Sequence, residues 1–243
     1  MNKYLFESDY SLDSLRWLKI RETSTLRFKK NSDSFLVEDL EQLQNEIISN
    51  NDAALAYFFT IEFAYQPHLM QKVILDCKDP KYAFLFAKNV KRCDVKALQK
   101  VVVDSKQIKY ICKFACFVKK AEKKSLEKFI KKSNNVKYAH MYLKYVKGTS
   151  PSKFTQIIID SGKPRYLFEL AKHTVDEKLL SQIEDLIIKS GSLIYIRLLA
   201  EKIKNSNIDK LEQAMLDSNN MAEIKKFAKY VRRSKMKKFL LVM

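Results

Sequence analysis

Basic residues recur in this chain at a fixed interval. Lys81, Lys88 and Arg92 are followed by Lys109, Cys116 and Lys120, and then by Lys137, Lys144 and Gly148. The series goes on as Arg165, Lys172 and Asp176 and ends in Ala222, Lys229 and Arg233; one set, Ile194, Glu201 and Asn205, breaks it. Residues seven apart are about two helical turns apart and share a face. Cations lined up in this way neutralise the phosphates or carboxylates of a partner. The eleven Lys and Arg of these sets form the candidate binding ribbon, and the chemistry they offer is association, with no bond made or broken.

Other chemistry is thinly represented. Cys112 and Cys116 stand at i, i+4, but two thiolates do not complete the four-ligand set of a structural zinc. His68, His140 and His173 are scattered, and Cys77 and Cys93 have no paired partner. We therefore expect free thiols and no metal. Only three glycines are present, too few for a phosphate-cradling loop, and there is no GxGxxG, GxSxG or HExxH. The expectation is a protein that is not an enzyme and needs no cofactor.

The elements that carry the ribbon follow from a repeat. Cys77, Ser105, Ser133, Ser161, Ser190 and Ser218 are spaced by 28, 28, 28, 29 and 28 residues. Five residues after each come Tyr82, Tyr110, Tyr138, Tyr166, Tyr195 and, as the one break, Glu223. Nine and ten after come Phe86-Ala87, Phe114-Ala115, Tyr142-Leu143, Leu170-Ala171, Leu199-Ala200 and Phe227-Ala228. Further on come Leu98, Leu126, Phe154, Ile183, Leu211 and Phe239, each followed by an aliphatic pair. Apolar residues at 82, 83, 86, 87 and 90 have helical rather than alternating spacing. Asp79-Pro80, Lys163-Pro164 and Ser150-Pro151 read as helix starts. Each unit is thus a pair of short helices that cannot bury its apolar faces alone and must stack on its copies. The expected architecture is all-α, an α-solenoid of about seven helix pairs over residues 38–243. Residues 1–37, which hold the single tryptophan, Trp17, are expected to form an N-terminal cap or a small distinct element. The Tyr column reads first as packing between units.

Charge is distributed unevenly. The net charge is +18, and residues 78–153 hold 21 Lys and Arg against five Asp and Glu. Residues 154–224 hold nine against eleven. Apolar runs reach about six residues, where a membrane helix needs roughly 20, so no membrane association is expected. Two readings of the basic region compete. One is a non-enzymatic scaffold with a protein partner; the alternative is a direct, sequence-nonspecific RNA or DNA binder. The oligomeric state is left open by the sequence.

The phrase DPKYAFLFAKNVKRCDVKALQKVVVDS, with its Tyr, Phe-Ala and Leu-Gln columns, resembles the short tandem α-hairpin repeats of giant DNA viruses of the mimivirus type and of some large phages. The resemblance covers about residues 50–243. It implies an α-solenoid in a virus that replicates in the host cytoplasm, so the expected location is the host cytoplasm, a viral factory or the virion; the scaffold is then expected to be a subunit of a viral complex, and the alternative binder one that acts in viral mRNA handling or translation initiation. It implies no activity.

Overall fold

The recurrent serine closes each helix pair onto the next. In the computed structural model, which describes residues 37–146 and 151–236, Ser105 Oγ donates to the Val102 carbonyl and accepts from the Gln107 N–H. Ser133, Ser161, Ser190 and Ser218 repeat both bonds. One hydroxyl thereby satisfies a carbonyl left over at the end of one helix and an N–H that precedes the next. The residue after each serine takes a left-handed conformation: Lys106, Asn134, Gly162, Gly191 and Asn219, with φ from 47 to 68°. Gly and Asn reach that region at little steric cost, which explains two of the three glycines. Cys77, at the head of the series, differs: its thiol donates to the Asn51 carbonyl at 3.0 Å.

The described residues form fourteen α-helices and divide between two compact units, 1–127 and 128–243. The first unit holds α1 (Val37–Asn50), α2 (Ala53–Phe63), α3 (Pro67–Cys77), α4 (Pro80–Asn89), α5 (Val95–Asp104) and α6 (Ile108–Phe117). The division falls within α7 (Lys123–Lys132). The second unit holds α8 (Val136–Tyr145), α9 (Pro151–Asp160), α10 (Pro164–Ala171), α11 (Glu177–Lys189), α12 (Leu193–Lys202), α13 (Ile208–Asp217) and α14 (Met221–Tyr230). Consecutive helices pack as pairs, and the first helix of one pair packs on the first helix of the next: α2 on α4 and α4 on α6 in one unit, α8 on α10, α10 on α12 and α12 on α14 in the other. The chain is a helical repeat stack. The expected cap lies outside the described residues.

Repeat columns are core columns. Phe86, Leu98, Phe114 and Leu126 are fully buried in the first unit, as are Tyr142, Phe154, Ile183, Leu199, Leu211 and Phe227 in the second. Ala87, Ala115, Ala171, Ala200 and Ala228 are buried beside them, small enough to let helices approach.

A second, polar column lies in the same core. Gln71, Gln99, Glu184 and Glu212 are buried near the middle of second helices. Each accepts a backbone N–H from the residue 23 positions on: Asp94, Glu122 and Asn207, which stand just before the next second helix, and Lys235. Helix starts carry N–H groups with no partner inside the helix. These side chains reach across to satisfy one of them and so fix one pair's spacing to the next.

Candidate interaction surface

The first helices end sooner than their sequence pattern suggests, and this decides which cations share a face. Of the three ribbon positions in each repeat, the two helical ones lie on first helices: Lys81 and Lys88 on α4, Lys109 on α6, Lys137 and Lys144 on α8, Arg165 on α10 and Lys229 on α14. Lys172 caps the end of α10. The third position does not. Helix α4 stops at Asn89 and α6 at Phe117, so Arg92 and Lys120 stand in the connecting loops, and Arg92 is itself left-handed at φ 59°. Arg233 follows α14 and is exposed, but its head group is engaged by the neighbouring first helix. Its guanidinium donates to the Ala200, Ile203 and Lys204 carbonyls and to Ser206 Oγ, closing the C-terminal end of α12. These three residues are removed from the helical ribbon.

The outward face of each first helix has its own register, at four, eight, eleven and twelve residues after the anchor. On α4 these are Lys81, Leu85, Lys88 and Asn89, and on α6 they are Lys109, Lys113, Cys116 and Phe117. On α8 they are Lys137, Met141, Lys144 and Tyr145, and on α14 Ala222, Lys226, Lys229 and Tyr230. Phe117 is 37% exposed, and Tyr145 and Tyr230 are each 47% exposed. Lys113 and these terminal aromatics were missed by the ribbon drawn from sequence. The signal that could have found them is the i, i+4, i+8 spacing within one helix, which never passes the helix end.

Cations on this face rest on rings. In the first unit Lys81 Nζ lies 4.7 Å from the Tyr82 ring centre and Lys109 Nζ 5.3 Å from that of Tyr110. Lys113 lies 5.9 Å from both Tyr110 and Phe84, and Lys88 reaches from α4 to the Phe117 ring at 5.8 Å. In the second unit Lys137, Lys144 and Lys229 each lie over the tyrosine that follows them. The Tyr column is mostly half-buried, and its rings pack between first helices: Tyr82 on Tyr57, Tyr166 on His140, Tyr195 on Phe168.

Carboxylates are engaged elsewhere. Asp79 and Asp94 accept backbone N–H groups at the starts of α4 and α5. Among the described residues, Lys88, Arg92, Lys109, Lys120, Lys137 and Lys144 make no ion pair within 4.0 Å. Farther along, the face neutralises itself: Lys172 Nζ meets Glu169 at 2.7 Å, and that bond holds the Glu169 carboxyl below its ordinary range. Lys226 pairs with Glu223, and Glu201 with Arg197 and Lys202.

Among the described residues no three His, Cys, Asp or Glu side chains gather where they could hold a metal. Cys112 Sγ lies 4.0 Å from Cys116 Sγ, and the hydrogen bond between them, with burial, pushes the Cys112 thiol far up. A thiol kept protonated in this way is a poor nucleophile. Burial pushes the His140 imidazole down. No described helix is long and apolar enough to cross a membrane.

No family model, no curated protein and no solved structure matches this chain.

Proposed function

We propose that the chain is a non-enzymatic helical-repeat scaffold that holds an acidic partner on the outward face of its basic first helices. One observation carries the reading. Between residues 78 and 127 the aspartates that open α4 and α5 are spent on backbone N–H groups, while Lys88 and Lys109 on the first helices, like Arg92 and Lys120 in the connecting loops, have no ion-pair partner among the described residues. A solvated face needs polar groups but no particular sign. Cations left without carboxylates raise a local positive potential that lowers when an anionic surface docks.

The test is binding of the full chain to poly-L-glutamate and to heparin across a salt series. Binding that weakens steeply with salt, and that Lys88→Glu with Lys109→Glu abolishes in a folded variant, supports the reading. Absence of binding to every polyanion at low salt overturns it.

A further inference from the structure

We infer that the acidic partner is a nucleic-acid duplex, held by its phosphate backbone at the edge of the stack where the loops after α4 and α6 lie side by side. This rests on the acidic-partner reading above, gives that partner a class, and carries its contact from the first helices round to the loops.

The edge is built from three pairs of cations one repeat apart: Lys91 and Lys119, Arg92 and Lys120, Lys96 and Lys124. The first two pairs stand in the loops, and the third lies in the first turns of α5 and α7. All six belong to the first unit and are exposed. Among the described residues none of them makes an ion pair within 4.0 Å. The carboxylates in 90–97 and 118–125 are Asp94, whose side chain accepts the Lys96 and Ala97 N–H groups, and Glu122.

Both loops are fixed from the core. Gln71 accepts the Asp94 N–H and donates to the Asp94 carbonyl, while Gln99 accepts the Glu122 N–H and donates to Ser125 Oγ. The loops are also neighbours, since they follow helices that pack on each other. Burial pushes the Cys93 thiol up, and the Lys120 charge, acting from the next loop, pulls it down. A backbone already held in place costs less ordering entropy when a partner docks.

What the edge lacks decides the class of partner. The centre of a protein–protein interface is rich in aromatic side chains and Met and depleted in Lys. Neither 90–97 nor 118–125 contains an aromatic residue, and no large apolar side chain is exposed in them. An acidic protein would meet charge here but no apolar centre. Interfaces with nucleic acid are more polar and much more positive, as this edge is. A single strand presents base faces, which bind by stacking on rings. A duplex turns its bases inward and presents phosphate at about one charge per 1.7 Å of axis, twice the density of one strand. Cations without a stacking platform are therefore best neutralised by a duplex, and contacts to its backbone carry no sequence information.

The experiment measures fluorescence anisotropy of a labelled duplex of about 20 bp, of a single strand of equal length, and of poly-L-glutamate of equal charge, across a salt series. With about six phosphates neutralised, log affinity should fall against log salt with a slope of about −5 on the duplex and about −4 on the single strand. The duplex should bind about tenfold more tightly than either other ligand near 0.1 M salt. Arg92→Gln with Lys120→Gln, at two exposed loop positions, should keep the helical circular dichroism and flatten the duplex slope by about 2. Lysine acetylation of the unmodified chain, read by mass spectrometry, gives a readout that needs no variant: the duplex should protect Lys91, Lys96, Lys119, Lys120 and Lys124. A duplex bound no more tightly than the single strand or polyglutamate overturns the inference. So does an unchanged slope in the folded variant, or unchanged acetylation of these lysines at saturating duplex. Each of these leaves the acidic-partner scaffold standing where polyglutamate still binds. Absence of binding to all of them at low salt overturns both.

Discussion

Arg197 Nε lies 3.9 Å from Glu223 Oε2, at the place in the stack where, one repeat earlier, the Tyr195 ring lies 5.9 Å from Phe168. The one break in the Tyr column is therefore a substitution of both partners at once: ring on ring becomes guanidinium facing carboxylate. The exchange is imperfect, because Arg197 Nε and Glu223 Oε2 are buried without a hydrogen-bond partner among the described residues. Burying ions with incomplete hydrogen bonding often stabilises less than apolar packing of the same volume, while removing one partner strands the other. Glu223→Ala is thus expected to cost about 1–3 kcal/mol, and the double variant Arg197→Phe with Glu223→Tyr to recover that loss. Urea unfolding of the single and double variants measures both; a double variant no better than the single would show that the two positions do not pack as a pair.

The serine clasp is expected to matter at every copy. Ser161→Ala removes the bond to the Ile158 carbonyl at 2.7 Å and the one from the Lys163 N–H, and should cost about 1–2 kcal/mol. Lys106 occupies the left-handed position that Gly162 and Gly191 fill in later repeats. Lys106→Gly should therefore stabilise by about 0.5–1 kcal/mol. Thermal melts of the two variants, read by circular dichroism, should move in opposite directions.

Glu184 links pH to stability. It is 2% exposed, and burial raises its carboxyl above the ordinary value against the opposing Asn207 N–H bond and Lys210. Between the unfolded and the raised folded value, the folded chain binds more protons than the unfolded chain. Stability therefore falls as pH rises through that window. Gln71 and Gln99 make the same bond with a neutral oxygen and add a donated one, to the Asp94 carbonyl and to Ser125. Glu184→Gln is expected to raise the melting temperature at pH 7 by a few degrees, on the order of 1 kcal/mol, with the gain shrinking as pH is lowered towards the carboxylate range. A gain independent of pH would assign the effect to packing.

Arg233 and Lys88 should part company. Arg233→Gln loses the bonds that close α12 and is expected to cost about 1–3 kcal/mol of stability. Its effect on polyanion binding should be slight. Lys88→Gln should leave stability within about 0.5 kcal/mol and weaken binding. Measuring urea midpoint and polyglutamate affinity on both variants separates a structural cation from a binding one.

The sequence by itself determined the stack. A column such as Phe86, Phe114, Phe227 with its alanine partner repeats because each pair meets the same neighbour, so the burial of one pair is written in every other. Helix type, pair length and the separation of basic from neutral repeats were legible for the same reason: they depend on local spacing and on counts. The tertiary structure decided what a column is for. Nothing in the spacing distinguishes Ser133 as a clasp from Ser133 as a spacer, or Gln99 as a bond to the next pair from Gln99 as solvent-facing polarity, since both roles depend on where the following helix starts. It also decided where the ribbon runs. Arg92 and Lys120 keep the helical phase of Lys81 and Lys88 only if the helix continues, and α4 and α6 end before reaching them. Helix ends are set by which backbone groups find partners outside the helix. That is a property of the fold, and it is what places Lys113 and Phe117 on the face and turns Arg233 away from it.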